Sequence, residues 1–100
     1  MNNSVTMEIK NNAFSRQFET NCDSGLLSVE YSFQEKKIFL TKINMPEEFA
    51  DDLFIDEFLK NILNIASDNK WRVVPILPRI ALFFKKNPTF KELLPPGIKI

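Results

Sequence analysis

Residues 27–43 read LSVEYSFQEKKIFLTKI, and this stretch decides the fold class. Apolar side chains occupy the odd-numbered positions from 27 to 33 and polar side chains separate them, which is typical of a half-buried antiparallel strand. Residues 34–37 then turn the chain. The β-rich run at 38–43 ends before Pro46, which cannot donate to a ladder. The stretch therefore predicts two neighbouring strands of a meander.

A further strand is predicted upstream of these two, and the turn cluster at 21–25, which ends in glycine, closes it. One face of this strand is formed by Phe14, Arg16, Phe18 and Thr20. Residues 1–12 leave two alternatives open, a short edge strand or a flexible, disordered arm. Their only regularly spaced apolar residues are Val5, Met7 and Ile9.

A long amphipathic helix is predicted after the meander. Pro46 and the two glutamates behind it are typical of a first helical turn, and the helix is expected to run to about Lys70. Leu53 falls on the polar side, which indicates that the regular pattern begins after it. The predicted apolar face consists of Phe54, Ile55, Phe58, Leu59, Ile62, Leu63, Ile65 and Ala66.

The C-terminal third predicts one more strand and a short helix. Residues 71–76 form a short apolar run that fits a strand beside the long helix. The second helix is expected between Pro78 and the stop at Asn87, and residues 95–100 form a tail. Because the chain contains no linker or repeat, residues 1–100 are predicted to be a single α+β domain.

The composition excludes several classes of function. Lys plus Arg equals Asp plus Glu at 13 each, so there is no overall field to hold nucleic acid or an anionic membrane. No apolar stretch approaches the ~20 residues that cross a bilayer and no signal peptide is recognisable, so the default expectation is a cytoplasmic protein. The chain has no histidine and one cysteine, Cys22. This excludes a Ser-His-Asp triad, an intrachain disulfide and the usual zinc sites.

Four short segments occur in a recognisable order. They are Gln17-Phe18-Glu19-Thr20, Lys42-Ile43-Asn44-Met45-Pro46, Pro75-Ile76-Leu77-Pro78 and Lys86-Asn87-Pro88-Thr89-Phe90. In the order and spacing of these segments, residues 9–94 resemble the small stand-alone GNAT-like N-acetyltransferases. The resemblance implies a GNAT-like fold and acetyl-CoA as cofactor. It places the cofactor against the strand end formed by Lys42, Ile43, Asn44 and Met45, and against a glycine-rich loop at a helix N-terminus.

At the position of that loop the sequence reads Ala50-Asp51-Asp52-Leu53-Phe54-Ile55. In the family, glycines let backbone N–H groups approach the pyrophosphate, and the helix dipole favours its charge. Here every glycine of the loop is absent, Ala50 stands at the arginine position, and two carboxylates face the place of the pyrophosphate; the only glycines of the chain are Gly25 and Gly97. The resemblance also marks Leu77 and Asn87 as pocket positions at which the family carries cysteine and histidine. We therefore expect impaired acetyl-CoA binding, with no catalytic residue and no metal site.

Three functional hypotheses follow. The first is a catalytically inert GNAT-like domain that binds a protein or a small molecule. The second is an active N-acetyltransferase that holds acetyl-CoA by an atypical loop and strand-end backbone groups. The third is a homodimer that pairs through a sheet edge or an apolar pocket. For single residues the plainer interpretation is favoured: Asp51 and Asp52 cap a helix rather than bind a cation, and Glu30 is a solvated strand residue rather than a general base.

Overall fold

The computed structural model describes residues 7–98, and its core element is a five-stranded sheet. The elements are β1 (Lys10–Asn12), β2 (Gln17–Cys22), β3 (Gly25–Gln34), β4 (Lys37–Asn44), α1 (Asp52–Asp68), β5 (Arg72–Pro75), α2 (Pro78–Lys86) and a 3-10 helix (Pro88–Leu93). The strands lie side by side in chain order. The pairs from β1 to β4 are antiparallel, whereas β4 and β5 are parallel. The predicted α+β class and the predicted order of meander, long helix, strand and short helix are confirmed.

Two tight hairpins form the meander. The chain reverses at residues 23–24 between β2 and β3, and at residues 35–36 between β3 and β4. Glu35 and Lys36 have φ of 52° and 64°, which a two-residue turn needs when it follows the right-handed twist of its strands. Both turns lie within the segments that the sequence predicted.

The N-terminal region differs from the prediction. Phe14 and Arg16 do not belong to the face of β2, because Phe14 is 99% exposed and Arg16 has φ of 56°, outside the extended region. Of the two alternatives for residues 1–12, the structure has the short edge strand, at Lys10–Asn12, rather than a free arm over these three residues. Val5 lies outside the described residues.

The start of α1 also differs from the prediction. A helix from Pro46 was expected, but residues 46–50 form a turn and irregular chain, and α1 begins at Asp52. Asp51 has an extended backbone with φ −89° and ψ 91°, and its side chain accepts a hydrogen bond from the Phe54 N–H. This is the geometry of an N-cap, and it sets the helix start.

The apolar face of α1 packs on the sheet as predicted, while Leu53 is 81% exposed. Ile55, Phe58, Leu59, Ile62, Leu63 and Ala66 are buried, and Phe54 and Ile65 pack at the margin. The strand register places the apolar core residues of the sheet on one face. The buried strand residues are Phe18, Leu27, Val29, Ile38, Leu40 and Val73.

α2 lies beside α1 and completes the same core with Ile80, Phe83 and Phe84. Two ion pairs join the helices, Arg79 with Asp52 at 2.9 Å and Lys86 with Asp56 at 3.3 Å. Exposed pairs of this kind contribute about 0–1 kcal/mol, so the buried rings fix the position of α2. Within residues 7–98 we find no helix with the length and apolar character needed to cross a bilayer.

The core assignment is tested by two phenylalanine substitutions. Phe58→Ala empties a buried site between α1 and the sheet, so we expect the free energy of unfolding to fall by about 3–5 kcal/mol in urea denaturation. Phe14→Ala removes the same ring from an exposed position and should change it by no more than about 0.5 kcal/mol. Equal effects of the two substitutions would contradict the assignment.

Candidate functional site

β4 and β5 are paired only along the first half of β4. The last pair is Leu40 with Pro75, and residues 42–44 pair with β3 alone. Pro75 has no N–H, and a proline weakens any continuation of a ladder. The two parallel strands therefore part towards their C-terminal ends and leave a gap beside residues 41–44.

A β-bulge lies where the strands part. Glu30 pairs with Lys42, but the next residue of β3, Tyr31, pairs with Leu40, so Thr41 is an extra residue of β4. The Thr41 hydroxyl donates to the carbonyl oxygen of Glu30 at 3.2 Å and fastens the bulge to β3. A bulge bends its strand and increases the local twist, which accounts for the departure of β4 from β5.

A hydrogen-bonded cluster lies near the gap on the sheet face opposite the core. The Asn44 side-chain amide donates to Glu30 Oε2 at 2.7 Å and to Ser28 Oγ at 3.2 Å. Ser28 is buried, and Glu30 and Asn44 are half-buried. Glu30 is therefore held in place by an amide and is not the freely solvated residue that the sequence indicated.

The N-terminus of α1 lies at the same end of the sheet, and its own carboxylates occupy it. Asp51 Oδ1 accepts from the Phe54 N–H at 3.1 Å, and the Asp51 carbonyl accepts from the Ile55 N–H at 3.2 Å. Asp52, in the first turn, contacts the Arg79 guanidinium. A helix N-terminus stabilises negative charge, and here Asp51 supplies that charge from within the chain. The capping interpretation of Asp51 is confirmed.

The other positions of the predicted cofactor loop have different surroundings. Ala50 and Leu53 are exposed, whereas Ile55 is buried in the core and cannot contact a ligand. The Phe54 ring packs edge-on against Phe49, with 5.8 Å between the ring centroids. Only part of this segment is thus available on the surface.

The structure brings most of the predicted positions together, with one exception. The strand end at Lys42, Ile43, Asn44 and Met45, the start of α1 and Leu77 all lie at the end of the sheet where β4 and β5 part. Leu77 is the N-cap residue of α2 and Asn87 is its C-cap residue. At 1.5 Å per residue they are about 15 Å apart, so they do not share a pocket. The Asn87 amide donates to the Phe83 carbonyl at 3.0 Å.

A second cleft, of about 480 Å³, was not found from the sequence. It lies between the β2–β3 hairpin and the loop before α1, and the carboxylates of Asp23, Glu48 and Asp51 surround it together with the rings of Phe49 and Phe54. Ala50, Asp51 and Phe54 of its lining belong to the loop that the sequence singled out, whereas the β2–β3 hairpin on the other side is far away in sequence and carries no motif. Across residues 7–98 the structure has no group of three or more side chains suited to holding a metal ion.

Glu19 is the second carboxylate fixed on the polar face of the sheet. The amides of Asn12 and Gln17 donate to its Oε2 at 2.9 and 2.6 Å. These hydrogen bonds, in that order, and the nearby Lys10 lower the pKa of Glu19 below its ordinary value, while partial burial opposes the shift. The two hydrogen bonds therefore stabilise the ionised carboxylate of Glu19 beside the β1–β2 pair.

No protein-family model matches this chain, and no curated protein matches it. Among solved structures, the solution NMR structure of a "GCN5-like putative N-acetyltransferase" from Staphylococcus aureus is similar, with a TM-score of 0.68 at 17% sequence identity. The similarity covers 92% of this chain and 90% of that protein. The chain thus has a GNAT-like fold, as the order of its segments predicted. At this identity the similarity establishes the fold alone.

The cap at α1 is tested by two substitutions of one residue. Asp51→Ala removes the acceptor of the Phe54 N–H and should lower the free energy of unfolding by about 1 kcal/mol in urea denaturation. Asp51→Asn keeps an oxygen at the same place and should cost much less, since Asn and Asp cap about equally well. Indistinguishable stabilities of the Ala and Asn variants would contradict the capping role.

The fixed state of Glu19 predicts a pH effect with a defined sign. Because its folded-state pKa lies below the reference value of 4.5, the ionised carboxylate stabilises the fold above that value, and the stabilisation disappears as the pH falls through the lowered pKa. Asn12→Ala should raise the Glu19 pKa, as followed by a ¹³C NMR titration of its carboxyl carbon. Asn64→Ala, on the exposed side of α1, serves as the control and should leave the pKa in place. An unchanged pKa in Asn12→Ala would refute the assignment.

Proposed function

We propose that this protein is a GNAT-fold domain that does not hold acetyl-CoA in the manner of the acetyltransferases and instead acts by binding another molecule at the open end of its sheet. The observation that carries the proposal is the Asp51 carboxylate, which already occupies the N–H of Phe54 at the N-terminus of α1. In the family this resembles, backbone N–H groups of that kind receive the cofactor pyrophosphate.

Electrostatics supports this proposal. A phosphate about 4 Å from a carboxylate costs on the order of 1 kcal/mol in water and about 4 kcal/mol at an effective dielectric constant of 20. Displacing Asp51 from its cap adds about 1 kcal/mol. Arg79 offsets part of the Asp52 charge, but an exposed pair of this type is worth only about 0–1 kcal/mol. The balance is unfavourable for a pyrophosphate.

The positions at which the family carries reactive side chains also support a binding role. Leu77 offers no nucleophile, and the Asn87 amide is used at the end of α2. A protein or small-molecule partner fits this proposal better than an acyl donor. The cytoplasmic location and the homodimer stay predictions of the sequence.

An active N-acetyltransferase is the second candidate, and one observation favours it. The gap beside residues 41–44 leaves strand-end backbone groups free of β5, and the fixed Glu30 carboxylate lies close by. In this alternative acetyl-CoA would supply the acyl group, the strand-end backbone would hold it, and Glu30 would accept the proton of the acceptor amine. Thiol release from acetyl-CoA with a broad panel of amines, lost in Glu30→Gln, would establish this alternative. The absence of release would exclude it for that panel.

The proposal predicts the response to the cofactor in a thermal-shift titration. Acetyl-CoA at about 1 mM should not raise the melting temperature, because a ligand stabilises the native state only to the extent that it binds. Asp51→Asn combined with Asp52→Asn keeps a capping oxygen but removes both charges. At low salt this variant should gain affinity for coenzyme A by roughly fivefold to thirtyfold. A concentration-dependent shift in the unmodified protein would overturn the proposal.

A further inference from the structure

We infer that the outer corner of the sheet, formed by β1, β2 and the start of β3, holds a separate binding site for a small zwitterion of the amino-acid type with an apolar side chain. The corner lies on the sheet face opposite the core, at the β1 edge. The proposed function concerns the other side of the sheet, where β4 and β5 part. The inference goes beyond the proposed function and does not depend on it.

A cavity of about 600 Å³ lies at this corner. Its volume falls within the range of about 300–1,000 Å³ that is typical of small-molecule sites. The strand register brings its lining together, because Lys10 pairs with Glu19 and Asn21 pairs with Leu26 in neighbouring rows of the same face. The lining therefore combines charged groups with an apolar side chain, as a site for an amphipathic small molecule requires.

The first property that identifies the ligand is a carboxylate held in place with one oxygen free. The amides of Asn12 and Gln17 donate to Glu19 Oε2 at 2.9 and 2.6 Å. Within residues 7–98, no group donates a hydrogen bond to Oε1, the other oxygen of this carboxylate. A side chain that is already fixed loses little conformational freedom when a ligand binds to it. Glu19 Oε1 is therefore a prepared acceptor for an ammonium group.

The second property is an unpaired lysine opposite that carboxylate. Lys10 is the direct partner of Glu19 across the β1–β2 ladder, and among the described residues it forms no ion pair. An α-amino acid carries an ammonium and a carboxylate on one carbon atom, so its ammonium can donate to Glu19 while its carboxylate accepts from Lys10.

The balance of charge in the lining favours a zwitterion over a simple ion. Glu8 and Glu19 supply two carboxylates and Lys10 supplies one ammonium. A ligand with only a carboxylate meets both glutamates without an ammonium to offset them, which is unfavourable. A ligand with only an ammonium leaves Lys10 without a partner. A molecule with both charges satisfies the corner best.

The third property is the apolar surface beside the charges. Leu26 is 47% exposed, and its neighbour on β2 is the polar Asn21. The half-buried Ile9 lines the same cavity. An aliphatic ligand side chain removes part of this surface from water. We therefore expect leucine-like amino acids to bind in preference to glycine, which has no side chain, and to glutamate, which adds a carboxylate next to Glu8 and Glu19.

The experiment titrates the ¹⁵N-labelled protein with free leucine and with two analogues that each lack one charge, leucinamide and 4-methylpentanoate. The backbone N–H signals locate the contact and give the affinities. We expect millimolar leucine to shift the signals of residues 19–21 and of Leu26. Leucinamide should bind about threefold to fivefold more weakly, because it loses an exposed ion pair with Lys10. The carboxylate 4-methylpentanoate should not bind.

Two variants with matched controls test the charged groups. Lys10→Gln should weaken leucine by about threefold to fivefold but should not weaken leucinamide, which has no carboxylate. Glu19→Gln removes the acceptor of the ammonium and should weaken both ligands by about tenfold or more. The controls are Lys60→Gln and Glu57→Gln, at exposed positions of α1, and both should leave the affinities unchanged. If Glu19→Gln does not fold, the comparison of the two ligands in Lys10→Gln decides.

Four results would overturn the inference. They are the absence of shifts with millimolar leucine, equal binding of leucine and its two analogues, shifts confined to residues outside the corner, and an equal loss of leucine and leucinamide binding in Lys10→Gln. The response to coenzyme A is read at the start of α1 and is independent of these titrations. Failure of the leucine titrations therefore leaves the proposed function standing, and cofactor binding leaves this inference standing.

Discussion

The parallel pairing of β4 with β5 stops at Leu40 and Pro75, and the arrangement of the functional end depends on this stop. The extra residue Thr41 bends β4, and Pro75 cannot extend the ladder. The helices of a parallel crossover begin at the C-terminal ends of their strands, so α1 and α2 both start beside the opening. The chain connections place the two helix N-termini at this end of the sheet, and the bulge and Pro75 leave a free strand edge beside them.

The N-terminus of α1 shows how a fold and an activity can be separated. Helix N-termini hold phosphates because their N–H groups are unpaired and their dipole favours negative charge. The same two properties favour Asp51 as the cap, because its carboxylate accepts a hydrogen bond from the Phe54 N–H and places a negative charge at the helix N-terminus. Substitution of a few loop residues can therefore change what the site attracts while the sheet, the helices and the buried core remain those of the GNAT-like fold.

The fold was predictable because its elements carry strong periodic patterns. The alternating apolar residues of β3 and the apolar face of α1 are visible in the sequence, and in the structure most of these residues are buried in the core. The start of α1 was misplaced because Pro46 fits a first helical turn as well as a turn before the helix. The helix start is set by the hydrogen bond from the Phe54 N–H to Asp51. The sequence does not single out Asp51 as the cap, because several acidic residues lie close together there.

The candidate site was only partly predictable. The strand end and the start of α1 were found through the resemblance. The bulge at Thr41 could not be recognised from the sequence, because threonine is common in regular strands as well. The contact of Arg79 with Asp52 joins residues far apart in the chain, and the same is true of the cleft beside Phe49. Such long-range placements depend on how α2 packs on the core, which a local pattern does not encode.

The central claim is that the carboxylates of α1 exclude a pyrophosphate from its N-terminus. The most direct measurement is a titration of ¹⁵N-labelled protein with coenzyme A, followed through the backbone N–H signals of residues 51–55. We predict that these signals do not move at millimolar coenzyme A. Saturable shifts of the Asp52 to Ile55 amides would show that the diphosphate is seated there and would contradict the account.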